Sequence, residues 1–336
     1  DKFLDQAVEL DVDAISDGTE VYIGSVMQHI EEAGIHSGDS ACSLPPVSLS
    51  AELQTQVEQQ TKKIALGLGV IGLLNIQYAI YQNEVYLIEV NPRASRTVPF
   101  VSKATGIPLA KVATRVMMGD KLRDALSFYD NYTIVMEADG LLKPRIKGHI
   151  AIKEAVFPFN KLYGADLVLS PEMKSTGEVM GISQNFGVSF AKSQLAAGNK
   201  IPTSGTCFLS FIEMDKAHAP QIAKGLYDQG FKLVATRGTQ KVIEASGIPC
   251  EVVLKISEGR PNIEDMMKNG DISLAINTSD NNTSKKDAEH IRQIVLRMGI
   301  PYFTTLSAAR AAIEAMGHMS DESWMEPHAI QDYLLS

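Results

Sequence analysis

Gln77, Glu89, Asn91, Arg93 and Arg96 are residue types that can handle a metal-bound phosphate. Glu89 and Asn91 stand two apart in the run EVYLIEVN, so in a strand they share a face. Gln77 can join them across a hairpin whose link is Gln82 and Asn83, a two-residue connection that suits a hairpin without being the diagnostic Asn-Gly. Hard divalent cations take oxygen ligands, and a cation seated on phosphate needs only one or two of them from protein. Arg93 and Arg96 follow at the strand end, with guanidinium geometry suited to phosphate oxygens and to the charge that builds as a phosphoryl group moves. The constellation points to a magnesium nucleotide, although a solvated strand end on which Glu89 pairs with the arginines uses the same types. The loop GIHSGDSACSLPP, residues 34–46, tilts the balance. It sets His36, Ser37, Asp39 and Ser40 among small residues that let backbone N–H groups approach an anion, a composition that ordinary polar loops also have.

A second group of candidates stands at later strand ends: Thr236, Gly238 and Thr239 after KLVATR, Lys255 closing CEVVLK, Asn277 and Ser279 after ISLAIN, and Tyr302 to Thr305. Hydroxyls, a glycine and a lysine beyond the carboxyl ends of parallel strands can form a phosphate pocket. Thr and Asn capping of the following helices accounts for the same residues without a ligand. No acid, base or metal pair accompanies them.

Changes of hydrophobic period reveal the elements that must position these groups. AVELDVDAIS alternates apolar and acidic residues, DG marks a turn and EVYIGSVMQHI resumes the pattern, which reads as a hairpin or meander. Ser50 can cap a helix that presents Leu53, Val57, Ile64 and Leu68. LLNIQYAIY and EVYLIEV are strands, FVSKATG and PLAKVATRVMMG helices, and residues 120–149 a loop-rich connection without clean period. IAIKEAVFPF returns a strand, and the helix GVSFAKSQLAAG closes a first domain, 1–198. Past NKIPTSG the rhythm is regular: five strands alternate with helices, predicting a doubly wound parallel sheet over 199–336.

The chain has 336 residues, enough for roughly two domains, with 45% hydrophobic and 21% charged residues, a globular balance. Its net charge of −9 supplies no diffuse positive field for nucleic acid or anionic membrane. Three cysteines, Cys42, Cys207 and Cys250, lack CxxC spacing and argue for a reducing compartment, the cytoplasm by default. No apolar run approaches the ~18 residues of a membrane span. Met118, Met266 and Met267 read as fillers, Trp324 sits in a tail without aromatic repeat, and His318 and His328 read as solvated, with no metal spacing.

QHIEEAGIHSGDSACSLP, IQYAIYQNEVYLIEVNPRASRTVPFVSKATGIPLAKVA and PEMKSTGEVMG together resemble the carboxy-terminal synthetase half of the carbamoyl-phosphate synthetase large chain, an ATP-grasp enzyme. Residues beyond 198 resemble that chain's terminal allosteric domain, so the likeness accounts for nearly the whole sequence. It implies an α/β chain: a partial ATP-grasp domain with a mostly antiparallel sheet, then a methylglyoxal-synthase-like domain. It also implies an ATP-dependent ligase that phosphorylates carbamate to carbamoyl phosphate for pyrimidine and arginine synthesis, using Mg²⁺ or Mn²⁺ with ATP and K⁺ as a further ion. By matching position, Gln77, Glu89 and Asn91 would hold the divalent metals, and Arg93 and Arg96 would steady the phosphoryl group and carbamate. Glu9 would sit by the ribose, with His36 and Ser37 at the phosphate end.

In the allosteric domain Lys216, Thr236, Thr239, Lys255 and Asn277 match contacts to uridine or inosine monophosphate, with Ser279 in place of a threonine. Ornithine would lie between the domains on Glu31, Asp39 and Glu154, with Tyr302 and Thr304; Phe303 stands where the family has an acid. The implied partners are a small glutaminase subunit and these effectors, with room for a homo-oligomer. The family's upstream lid, with its glycine-rich phosphate loop, does not precede Asp1, so the chain is expected to be a fragment that binds ATP weakly and is inactive alone. An effector-binding module alone, or another ATP-grasp ligase such as a biotin carboxylase, is the competing reading. A lyase activity finds no Asp and His arranged at the later strand ends.

Overall fold

The alternating run at the start folds as an antiparallel pair, β1 (Val8–Asp17) and β2 (Val21–His29). Asp17 closes the turn by accepting the Thr19 and Glu20 amides, both at 2.8 Å, beside Gly18 at φ 84°. The structure, a computed structural model, describes residues 4, 7–31, 33–129, 134–158, 169–278 and 285–335. After β3 (Cys42–Leu44), helix α1 (Ala51–Gly67) starts at Ser50, whose hydroxyl accepts the Leu53 amide at 3.3 Å. Strands β4 (Ile71–Tyr81) and β5 (Glu84–Asn91) are joined by Gln82 and Asn83 at φ 51° and 63°. Two left-handed residues make the turn whose twist matches the flanking strands, here without glycine.

Helices α2 (Val98–Thr105) and α3 (Leu109–Met117) follow as expected. The 120–149 stretch differs from the loop-rich expectation: it holds α4 (Leu122–Ser127) and an antiparallel pair, β6 (Ile134–Met136) and β7 (Leu142–Pro144). Helix α4 buries Leu122, Ala125 and Leu126 within little more than one turn and β7 buries only Leu142, runs too short for a period to stand out in the sequence. Then come β8 (Ile150–Val156), β9 (Gly177–Ser183), which sequence reading passed over, and α5 (Phe186–Ala196). These strands form one sheet of order β5-β4-β1-β2-β3-β8-β9, with the β6/β7 pair joined to β2.

The second sheet comprises β10 (Thr206–Ser210), β11 (Lys232–Ala235), β12 (Glu251–Val252), β13 (Leu274–Asn277) and β14 (Tyr302–Phe303), in the order β12-β11-β10-β13-β14, every pair parallel. Its helices are α6 (Ala219–Asp228), α7 (Arg237–Glu244), α8 (Ile263–Lys268), α9 (Lys285–Met298) and α10 (Leu306–Gly317). Alternate strand residues pack opposite ways: Phe208, Val234 and Ala275 with Met267, Ile291 and Ile294, and Cys207, Leu209 and Leu233 with Ile222, Ile243 and Ala312. This is the doubly wound arrangement the regular rhythm predicts.

The first sheet is covered on both faces. Leu10, Val12 and Ala14 pack under Leu53 and Val57 of α1, while Ile15, Tyr22 and Met27 share the opposite core with Val101, Val112 and Leu126. A further cluster crosses residues 199–205, joining Ile30, Ile152 and Phe190 to Phe303, Ala308 and Ala312. Helix α5 lies so close to α10 that a Cβ on Gly187 would stand 2.9 Å from the Glu314 carbonyl. The tail also returns: α11 (Ile330–Leu335) sets Leu334 against Gly106, and Tyr333 brings its ring 6.3 Å from His149. Trp324 packs partly buried on the crossing cluster, while His328, exposed as expected, meets the Tyr333 ring edge-on. No helix among the described residues is long and apolar enough to cross a membrane.

Candidate functional site

Strand pairing explains how the first constellation comes together. Gln77 sits opposite Glu89 and Asn75 opposite Asn91, while Asp11 and Asp13 of β1 face Gln77 and Asn75 from the other side. The register shifts between Gln77 and Tyr78, a bulge of the kind that re-aims side chains beside functional sites. Ile88 and Glu89 consequently both border the adjoining cleft. The Asn91 amide N–H donates to Glu89 Oε1 at 2.7 Å, which turns its carbonyl oxygen away from the carboxylate.

A cavity of about 910 Å³ opens over this end of the sheet, bordered by Glu9, His36, Ser37, Gln77, Glu89, Arg93 and Arg96. Seven of the eight residues named for nucleotide and metal therefore share one cleft, and the eighth, Asn91, is tied to Glu89. Glu9 is buried, accepts the Gly34 amide at 2.9 Å and lies 4.0 Å from His29. Burial raises its carboxyl above the usual range against the opposing pull of His29 and the Gly34 N–H, with Asp11 and Glu89 adding repulsion. The His36 ring Nδ1 accepts the Gly38 amide at 2.9 Å, and the His36 amide donates to the Ser170 carbonyl at 2.9 Å, fixing the small-residue loop at the rim.

Beneath the cleft lies a polar layer that sequence reading missed. His29 Nε2 is 2.8 Å from Asp11, Asn75 donates to both Asp11 and Asp13, and Asp13 also accepts the Ser95 and Thr97 hydroxyls, each at 2.6 Å. Burial pushes the Asp13 carboxyl up to about 6 against those hydrogen bonds. Asp11 stays below its ordinary value, because the His29 and Asn75 contacts outweigh its burial. Lys153, fully buried, donates to the Ser37 and Ser40 carbonyls at 3.0 and 2.6 Å and supports the same loop from below. The available signals were the acids alternating on β1 and the hydroxyls flanking Arg96, which only the sheet register connects.

The ornithine candidates split. Glu154 is buried, accepts the Gln194 amide at 2.7 Å and is pushed up to about 8 by burial and by the nearby Glu31 charge. Asp39 is 1% exposed, and its two oxygens accept the Lys174 and Ser175 amides, so its carboxylate ties two loops together. Asn277 donates to the Tyr302 hydroxyl at 3.0 Å, and Thr304 lies half-buried beyond Phe303 of the crossing cluster.

In the second sheet the switch in strand order falls between β10 and β13, flanked by β11. Here Thr236 starts α7, its hydroxyl 3.4 Å from that of Thr239, and Thr239 accepts the Phe211 amide at 3.0 Å. The Lys216 ammonium pairs with Glu213 and stands 3.0 Å from where a Cβ on Gly238 would be, so it lies over the first turn of α7. Lys216, Thr236, Gly238 and Thr239 thus gather at the strand ends. Asn277 closes β13 nearby, and Lys255 is exposed beyond β12. Ser279 lies outside the described residues.

Residues 1–125 match the family model "Carbamoyl-phosphate synthase L chain, ATP binding domain", and residues 218–304 match the "MGS-like domain". The chain is 55% identical over 336 residues to the carbamoyl phosphate synthase large chain of Campylobacter jejuni, covering 100% of this chain and 31% of that one. It is 58% identical over 334 residues to the large chain of Helicobacter pylori, covering 99% and 30%. The carbamoyl phosphate synthase large chain, C-terminal section, of Aquifex aeolicus is 50% identical over 318 residues, covering 94% and 59%. The chain thus spans about a third of the length of the first two relatives.

Proposed function

We propose that this chain, which belongs to the carbamoyl phosphate synthase large-chain family, forms the part of such an enzyme where ATP phosphorylates carbamate, giving carbamoyl phosphate and ADP. The observation that carries the reading is the convergence of Gln77, Glu89, Arg93 and Arg96 on one cleft with Glu9 and His36 at its rim. Residues 1–198 are read as the carboxy-terminal part of the ATP-grasp unit and 199–336 as its effector-binding domain. A small glutaminase subunit is the expected partner, and the cytoplasm the expected location.

Gln77, Glu89 and Asn91 offer oxygen donors with a single carboxylate among them, which fits a hard cation whose remaining ligands come from phosphate and water. These residues would hold Mg²⁺ or Mn²⁺, with K⁺ as a further monovalent ion. The divalent ion, when bound, neutralises charge on the phosphates. Arg93 and Arg96 orient the transferred phosphoryl group and carbamate and stabilise the charge spreading over the equatorial oxygens. Glu9 accepts ribose hydroxyls, and His36 and Ser37 bound the phosphate end. The catalytic power is positioning and charge compensation, with no covalent protein intermediate.

The gathered hydroxyls, Gly238 and Lys216 support a nucleoside monophosphate, UMP or IMP, held with Lys255, Asn277 and Ser279 at the ends of the second sheet. Ornithine is the further expected effector, on Glu31, Asp39, Glu154, Tyr302 and Thr304. Its ammonium would relieve the repulsion between Glu31 and Glu154. The test is ATP formation from carbamoyl phosphate and ADP by the full-length large chain. Glu89→Gln is expected to abolish it, and near-normal turnover rejects the assigned role.

A further inference from the structure

Arg93 and Arg96 are carried by an irregular segment between β5 and α2, and both side chains are exposed. Something must hold that segment if two flexible cations are to meet a transferring phosphoryl group reproducibly. Ser95 and Thr97 flank Arg96, and both hydroxyls turn down onto Asp13, at 2.6 Å each, while also lying 2.8 Å from one another. With its neighbours on either side pinned beneath the surface, Arg96 is left facing the cleft it borders.

Thr97 sits at the N-cap of α2, a position where a threonine hydroxyl ordinarily accepts a helix amide, yet it makes no such bond. Its hydroxyl serves Asp13 instead. Asp13 is 1% exposed, and the groups that bond it, Ser95, Thr97 and Asn75, are all neutral. A buried carboxylate held only by neutral donors is a costly choice for stability alone. Asn75 lies on β4 opposite Asn91 of β5, so one carboxylate joins the arginine segment to the strand that carries Gln77 and pairs with the one that carries Glu89 and Asn91.

We propose that Asp13 is a positioning residue: through Thr97 and Ser95 it fixes the 92–97 segment so that Arg93 and Arg96 point at the phosphoryl group of the metal nucleotide whose cation Gln77, Glu89 and Asn91 would hold. The inference rests on the carbamate-phosphorylating reading above. It predicts that damage at Asp13 appears in turnover rather than in nucleotide affinity, since Asp13 touches no substrate.

The experiment uses the full-length large chain in the ATP-forming direction. Thr97→Val, which keeps the shape and removes the hydroxyl, should lower kcat about tenfold while KM for ADP stays within twofold. Thr97→Ser, which keeps the hydroxyl, should retain wild-type kcat. Asp13→Asn should repeat the Thr97→Val effect if it folds; the threonine pair decides the matter if it does not. An active wild type with Thr97→Val equally active, or with Thr97→Ser as impaired as Thr97→Val, overturns the inference alone. A wild-type chain that forms no ATP removes the underlying reading and the inference with it.

Discussion

Replacing Glu154 by Gln should change how stability depends on pH. Burial comes first among the causes that lift this carboxyl from 4.5 to about 8, followed by repulsion from Glu31, against the pull of Lys153, the Ala155 amide and Gln194. The folded chain therefore binds a proton that the unfolded chain releases across that interval, and stability falls as pH rises through it. Such a shift corresponds to about 5 kcal/mol, and relaxation of the charged form toward Lys153 and solvent should reduce the observable loss to about 2–4 kcal/mol. Glutamine has the shape of the protonated acid, and its carbonyl can still accept the Gln194 amide. Urea unfolding at pH 4, below the unfolded-state value, should find wild type and Glu154→Gln alike, and at pH 8.5 the variant should be the more stable. Parallel pH profiles for the two proteins would refute a proton on Glu154 in the fold.

Gly181→Ala should destabilise by more than about 3 kcal/mol in a urea melt, because the added methyl would overlap the Ser189 carbonyl and the Ser193 amide of α5, backbone that cannot step aside. Lys153→Met should cost about 2–4 kcal/mol and speed amide exchange over residues 36–40, since it orphans two carbonyls of the rim loop. Lys255→Ala should weaken UMP or IMP binding by calorimetry about tenfold to a hundredfold, the loss of one charged contact to phosphate; unchanged affinity would move the pocket elsewhere.

Strand and helix order was legible because long elements keep a period. Leu53 and Val57 on α1 and the apolar strand pair around Gln82 and Asn83 declare themselves over eight or more residues in each element. Strand β9 did not, because Gly177 and Gly181 interrupt its apolar pattern, and one of those glycines is there to let α5 approach. The acids of β1 posed a different difficulty. Alternation ordinarily marks a sheet with one wet face, yet Asp13 is 1% exposed beneath Ser95 and Thr97 of the segment leading into α2, and Asp11 is 0% exposed between His29 and Asn75. The exposed site residues were readable from type and spacing, whereas their buried supports depend on cross-strand register, which one strand's sequence does not contain.

The apolar cluster that joins Phe190 and Ile152 to Phe303 and Ala312 should make the two sheets unfold together on heating. A nucleotide that binds only the folded second sheet lowers the free energy of the joint unit, by about 2.7 kcal/mol at a hundredfold excess over its Kd. Hydrogen exchange in β1 and β4, far from the ligand, should therefore slow along with exchange in β10 and β13. On the function proposed above, an effector at the second sheet would act on the cleft of the first in this way, as a narrowing of the fluctuations both sheets sample together, without any hinge turning.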